Sequence, residues 1–130
     1  MKYLILLAVS FILTSCASGP NVKPEPDKAL LVEHISILKP LLLTFKVRFL
    51  SVDGKDLKSN DKYPSYVYLD PGDHDVVVSC YSDSIRNPVP ATGVQNFKRN
   101  YKINHTYKFT MKEVGLGKCI TDIEEVNNYN

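Results

Sequence analysis

The sequence predicts an all-β protein: a small antiparallel β-sandwich of about six or seven short strands behind a flexible N-terminal segment. Two observations carry this. Apolar and polar residues alternate with a period of two over several short segments, the pattern of half-buried strands. Turn residues (Asp-Gly, Asp-Pro-Gly-Asp, Asn-His, Gly-x-Gly) separate those segments at short intervals, and no stretch shows a convincing amphipathic helix.

Residues 29–38 open the body as an apolar run interspersed with Glu33, His34 and Ser36, and Pro40 breaks it. Residues 44–52 alternate, with Phe45, Val47 and Phe49 on one face and Lys46 and Arg48 on the other. Asp53-Gly54 is a strong turn signal, and the polar residues 55–62 read as a loop. Residues 63–69 form the next strand, followed by Asp70-Pro71-Gly72-Asp73, with Pro and Gly where a type II turn wants them. The clearest strand is 74–81, where Val76, Val78 and Cys80 alternate with Asp75, Val77 and Ser79. Residues 82–92 contain Asn87-Pro88 and Pro90 and read as a long loop. Residues 94–103 alternate again through Phe97, Tyr101 and Ile103. Asn104-His105 then turns the chain into 106–114, where Tyr107, Phe109 and Met111 share a face. Gly115 and Gly117 end that strand, and 118–126 supplies a last one through Cys119 and Ile123. The tail, 127–130, is polar.

The order Phe45-Lys46-Val47-Arg48-Phe49, Val52-Asp53-Gly54-Lys55 and Tyr68-Leu69-Asp70-Pro71-Gly72-Asp73-His74-Asp75-Val76-Val77-Val78 resembles PEGA-type and related transthyretin-like surface modules. The resemblance implies a compact β-sandwich, a hairpin pinned by Pro71 and Gly72, and a module without an activity of its own.

The first 15 residues read as a secretion leader. Lys2 provides the positive start, and residues 3–13 are apolar except for Ser10. That run is too short to span a bilayer, which needs roughly 20 residues. Its end, Leu13-Thr14-Ser15-Cys16, resembles the lipobox of bacterial lipoprotein precursors. The resemblance implies a diacylglyceryl group on the Cys16 thiol, cleavage before it and acylation of the new amino terminus. Ala17, where an aspartate would signal inner-membrane retention, resembles the outer-membrane sorting pattern. Residues 16–28, with three prolines and almost no large apolar side chain, then form a lipidated flexible tether. The expected organisation is therefore leader 1–15, tether 16–28, β-sandwich 29–126 and polar tail 127–130.

Charge is nearly balanced, with 16 Lys and Arg against 14 Asp and Glu. That argues against nucleic acid, which calls for a clustered basic face. With Cys16 committed to lipid, Cys80 and Cys119 remain as a pair. In an exported protein a structural disulfide is their expected state, with two buried free thiols as the alternative.

Catalytic and metal signatures are weak. Asp70, Asp73, His74 and Asp75 cluster, but alternation places Asp73 and Asp75 opposite His74, and they read as turn chemistry. His34, His74 and His105 sit on separate elements without a metal-binding spacing. Ser79, Ser82 and Ser84 have no nucleophile elbow around them. No catalytic residue, metal or cofactor is expected.

The candidate contact residues are Tyr63, Tyr66 and Tyr68 on one short strand, with Arg86 and Val89 in the 82–92 loop. Exposed tyrosine favours protein interfaces, although Tyr66 and Tyr68 fit equally a cap on the core with hydroxyls outward. The overall expectation is a non-catalytic, lipid-anchored outer-membrane lipoprotein. It would face the periplasm and contact protein partners in an envelope complex such as a secretion machine. A binder of peptidoglycan, another glycan or a small ligand is the alternative, and an unrecognised hydrolase the third.

Overall fold

The computed structural model describes residues 22–33, 44–84 and 87–128. Eight strands lie within them: β1 (Ala29–Glu33), β2 (Thr44–Val52), β3 (Lys55–Asp56), β4 (Tyr66–Leu69), β5 (Gly72–Ser84), β6 (Asn87–Tyr101), β7 (His105–Gly115) and β8 (Lys118–Asn127). No helix occurs among the described residues. The all-β class expected from the sequence is what the chain adopts.

The strands form a single sheet in the order β3-β2-β5-β6-β8-β7-β1-β4, curled into a half-barrel. It is mixed rather than purely antiparallel, because β1 runs parallel to β7 and β6 parallel to β8. The β6–β8 join is a single backbone pairing, Thr92 with Lys118. Around that join β3-β2-β5-β6 folds over β8-β7-β1-β4, which gives the sheet a sandwich-like interior. Val47, Phe49, Val76, Val78 and Tyr101 from one half meet Ala29, Leu31, Leu69, Tyr107 and Phe109 from the other. Edge-to-face ring contacts link the halves: Phe49–Phe109 at 5.0 Å, Phe97–Phe109 at 5.5 Å and Tyr101–Tyr107 at 4.9 Å. Each such pair contributes about 0.5–1.5 kcal/mol beyond its buried area.

The register gives the body two poles. Gly72 pairs with Tyr101 and Ala29 with Leu69 at one end, the N-terminal pole. The Ser84–Asn87 pair and the β7–β8 tip, Gly115-Leu116-Gly117, lie at the other, the hairpin pole. Val52-Asp53-Gly54-Lys55 turns tightly at the N-terminal pole. Asp53 (φ 51°) and Gly54 (φ 78°) both adopt the left-handed conformation a two-residue type I′ hairpin requires.

Several expectations need correction. Residues 82–92 are mostly strand: β5 extends to Ser84 and β6 starts at Asn87. Pro88 and Pro90 fit there because they fall in the irregularity between the Ser82–Ala91 and Ser84–Asn87 pairs, where no ladder bond needs a proline N–H. Pro71 and Gly72 do not close a hairpin. β4 pairs with β1 and β5 with β2 and β6, so residues 70–71 carry the chain from one half of the sheet to the other. The strand expected over 63–69 begins at Tyr66, and the 55–62 loop contains the short β3. The segment expected as a free tether is docked over its last residues. The Lys23 carbonyl accepts from the Tyr68 hydroxyl at 2.6 Å, Asp27 N–H donates to Asn104, and Lys28 pairs with Asp70.

Candidate functional site

Among the described residues two stretches of strand edge in this sheet have no strand paired to them, and the sequence treats them differently. Along β2 the N–H groups of Val47 and Phe49 point away from β5. Val47 donates to Glu33 Oε1 at 2.8 Å, and Phe49 to the Pro64 carbonyl at 3.2 Å. The second Glu33 oxygen takes a charge-assisted bond from the Arg48 guanidinium. Glu33 is buried, so its carboxylate substitutes for a neighbouring strand. That edge is closed.

The β4 edge is different. Among the described residues β4 is the terminal strand and pairs on one side only, with β1. Glu33 N–H bonds to the Ser65 carbonyl. The antiparallel alternation therefore turns Ser65, Val67 and Leu69 toward β1, and the backbone groups of Tyr66 and Tyr68 outward. Val67 and Leu69 pack inward against the core, and Tyr66 and Tyr68 lie on the outer face. Their rings meet edge to face at 5.9 Å. Tyr66 is exposed, whereas the Tyr68 hydroxyl is engaged by Lys23 O and burial pushes its pKa up. Tyr63 is half-buried in the segment before β4. Of the five contact candidates the structure thus brings Tyr66 and Tyr68 together. Arg86 and the side chain of Val89 lie outside the described residues, as do Cys16 and the leader.

Cys80 and Cys119 are joined in a disulfide, with Cα atoms 6.2 Å apart. The bridge ties β5 to β8 across β6, beside the lone Thr92–Lys118 pairing. It has room because position 93 is glycine: a Cβ there would stand 2.2 Å from the Cys119 carbonyl oxygen and 3.1 Å from Cys80 Sγ.

At the N-terminal pole the polar side chains form two networks. His74 Nδ1 meets Asp53 Oδ2 at 2.6 Å, and its Nε2 meets the Asp70 carbonyl at 2.8 Å. Both partners are acceptors, so the ring satisfies both by carrying two protons. The Asp53 hydrogen bond accordingly raises the His74 pKa against the opposing effect of burial. Asp53 is held low by the Asp75 N–H, 2.8 Å from Oδ1, and then by His74. In the second network burial works against ionisation of Glu125, but Lys102, His105 and Arg99 surround its carboxylate at 3.2, 2.8 and 3.0 Å and hold its pKa low. The Arg99 guanidinium lies over the Tyr107 ring at 5.0 Å. Tyr101, next to it, is pushed up to about 12 by burial.

A shallow depression of about 430 Å³ opens between the networks, lined by Asp53, Asp73, His74, Asp75, Lys98 and Arg99. Both His74 nitrogens are hydrogen-bonded within the protein, to Asp53 and to the Asp70 carbonyl. Among the described residues no group of three or more His, Cys, Asp or Glu is arranged to hold a metal ion.

Sequence reading missed Glu33 and Glu125 as organising groups. The signal was present for Glu33, a charge in an otherwise apolar run on the phase of Ala29 and Leu31, both of which face the core. No protein family, curated protein or solved structure matches this chain.

Proposed function

We propose that this chain is a non-catalytic lipoprotein of the outer membrane, anchored through Cys16, whose body binds a protein partner in an envelope complex. The observation that carries this reading is the β4 edge. One open edge of the sheet is closed by a buried carboxylate and a carbonyl. The other ends on outward-turned backbone groups and an exposed tyrosine. Folded proteins usually blunt such an edge with charge, proline or a cover. An edge bearing Tyr66 and Tyr68 suits strand addition by an extended partner segment, with backbone bonds giving affinity and the rings giving specificity. The N-terminal segment docks at one pole, so an anchor there leaves the flank of the body facing outward. The polar networks at that pole have their charges internally paired, which fits a structural role.

The test is affinity purification of the full chain from natively solubilised membranes. A stoichiometric protein should co-purify with the wild type and with Tyr63→Phe, and be lost with Tyr66→Lys, which places a charge on the edge without touching the core. Retention by Tyr66→Lys would contradict the assigned surface. Binding to purified peptidoglycan with no protein partner would replace the reading with glycan recognition.

A further inference from the structure

Among the described residues, four of the six exposed large apolar side chains lie toward the hairpin pole. Leu116 stands at the tip between Gly115 and Gly117 and is 99% exposed. Val114 (50% exposed) precedes it on β7. Val94 (66%) and Ile120 (36%) follow by two residues the paired Thr92 and Lys118, on the neighbouring strands β6 and β8. None of these four serves the core, whose inward positions on the same strands are taken by Phe97, Met111, Cys119 and Ile123.

We infer that the β7–β8 tip is a membrane contact, inserting Leu116 and Val114 into the interfacial region of a bilayer that contains anionic lipid. This goes beyond the proposed function, because it needs neither the lipid on Cys16 nor the β4 edge.

Two features select a bilayer over a protein surface. The first is shape. Leu116 projects from a tight turn, with φ of 85°, 53° and 69° at residues 115, 116 and 117, and is almost wholly exposed at its tip. A fluid interface closes around such a protrusion, whereas a protein interface needs a complementary patch several times larger. The second is charge. Within residues 110–120 the sequence carries two lysines, Lys112 and Lys118, against one acidic residue, Glu113, and both lysines are exposed and flank the apolar tip. Lysines beside an inserted apolar group complement headgroup phosphates. The tip sits at the opposite pole from the docked N-terminal segment. An acyl anchor at one pole and this contact at the other would attach the body to the bilayer at two points and fix its orientation.

The chain contains no tryptophan, so Leu116→Trp introduces a single tryptophan, excited apart from the tyrosines, at the tip. The mature full chain carrying Cys16→Ala, which has no acylation site, is mixed with vesicles of zwitterionic lipid alone or with added phosphatidylglycerol. On the anionic vesicles the emission of residue 116 should shift to the blue and be quenched by lipids brominated on their acyl chains. A tryptophan in place of Ile103, exposed at the other pole, should remain unquenched. Lys112→Gln and Lys118→Gln should each lower vesicle partitioning about fivefold. An unchanged melting temperature shows that the variants are folded. Water-like, unquenched emission from residue 116 on all vesicles overturns the inference. So does equal quenching at 103 and 116, or shielding of residue 116 only when a protein is added.

Discussion

The Glu33 carboxylate accepts the backbone N–H of Val47 at 2.8 Å, across a gap where the sheet has no ladder, and pairs with Arg48 through its other oxygen. A buried side chain thus completes the hydrogen bonding of a strand edge and ties β1 to β2, which lie far apart in the sheet order. Glu33→Gln keeps an acceptor for Val47 and loses the charge on Arg48, and should cost about 1 kcal/mol of unfolding free energy. Glu33→Ala also leaves the buried Val47 N–H without a partner, and should cost about 3 kcal/mol. Urea denaturation distinguishes the two. Equal losses would show that the acceptor role is unimportant.

Gly93 and the disulfide share one contact. Removing the bridge with Cys80→Ala and Cys119→Ala should cost about 2–4 kcal/mol, mostly by freeing the unfolded chain. Gly93→Ala forces a Cβ toward the Cys119 carbonyl and should cost about 1–3 kcal/mol although the bridge can still form. Thermal melting under oxidising conditions reads both. A neutral Gly93→Ala would mean that β6 and β8 do not approach as described.

Stability should follow the charge on His74. Its pKa in the folded protein is raised above the ordinary 6.5, so its contribution is fully present below that value and fades as pH rises through the folded pKa. Asp53 is shifted the other way. Its contribution is present above its ordinary 3.8 and fades as pH falls through the lower folded value. Melting temperature should therefore be highest at mildly acidic pH and decline above about 6.5. His74→Gln should flatten that decline. An unchanged slope in the variant would assign the pH dependence to another group.

How much of this was legible in the sequence depends on the kind of feature. Strand faces were, because alternation assigns them residue by residue: Val76, Val78, Phe49 and Phe109 all face the core as their phase predicts. The Cys80–Cys119 pairing followed from counting, once Cys16 had been set aside. Strand neighbours were not legible, since alternation says which way a side chain points and nothing about which strand lies alongside. The parallel pairing of β1 with β7 and the route of residues 70–71 between the two halves are long-range properties. Pro88 and Pro90 misled for a related reason: proline excludes a ladder bond, and the ladder is interrupted at that point. Tyr66 and Tyr68 were found by composition, but their importance as the end of the sheet needed the topology.

Anchoring is tested apart from the fold. Metabolic labelling with a palmitate analogue should mark the wild-type chain and leave Cys16→Ala unlabelled, with the variant released from the membrane fraction. Equal labelling would remove the anchor from the account and leave the body unaffected.

The most direct test of the central claim is photocrosslinking in intact cells with a photoreactive phenylalanine at single positions. Placed at Tyr66, beside the open edge of β4, it should give one discrete adduct with a protein, and placed at Ile103, exposed at the N-terminal pole, it should give none. No adduct at 66, or the same adduct at both positions, would contradict a partner docked on the β4 edge.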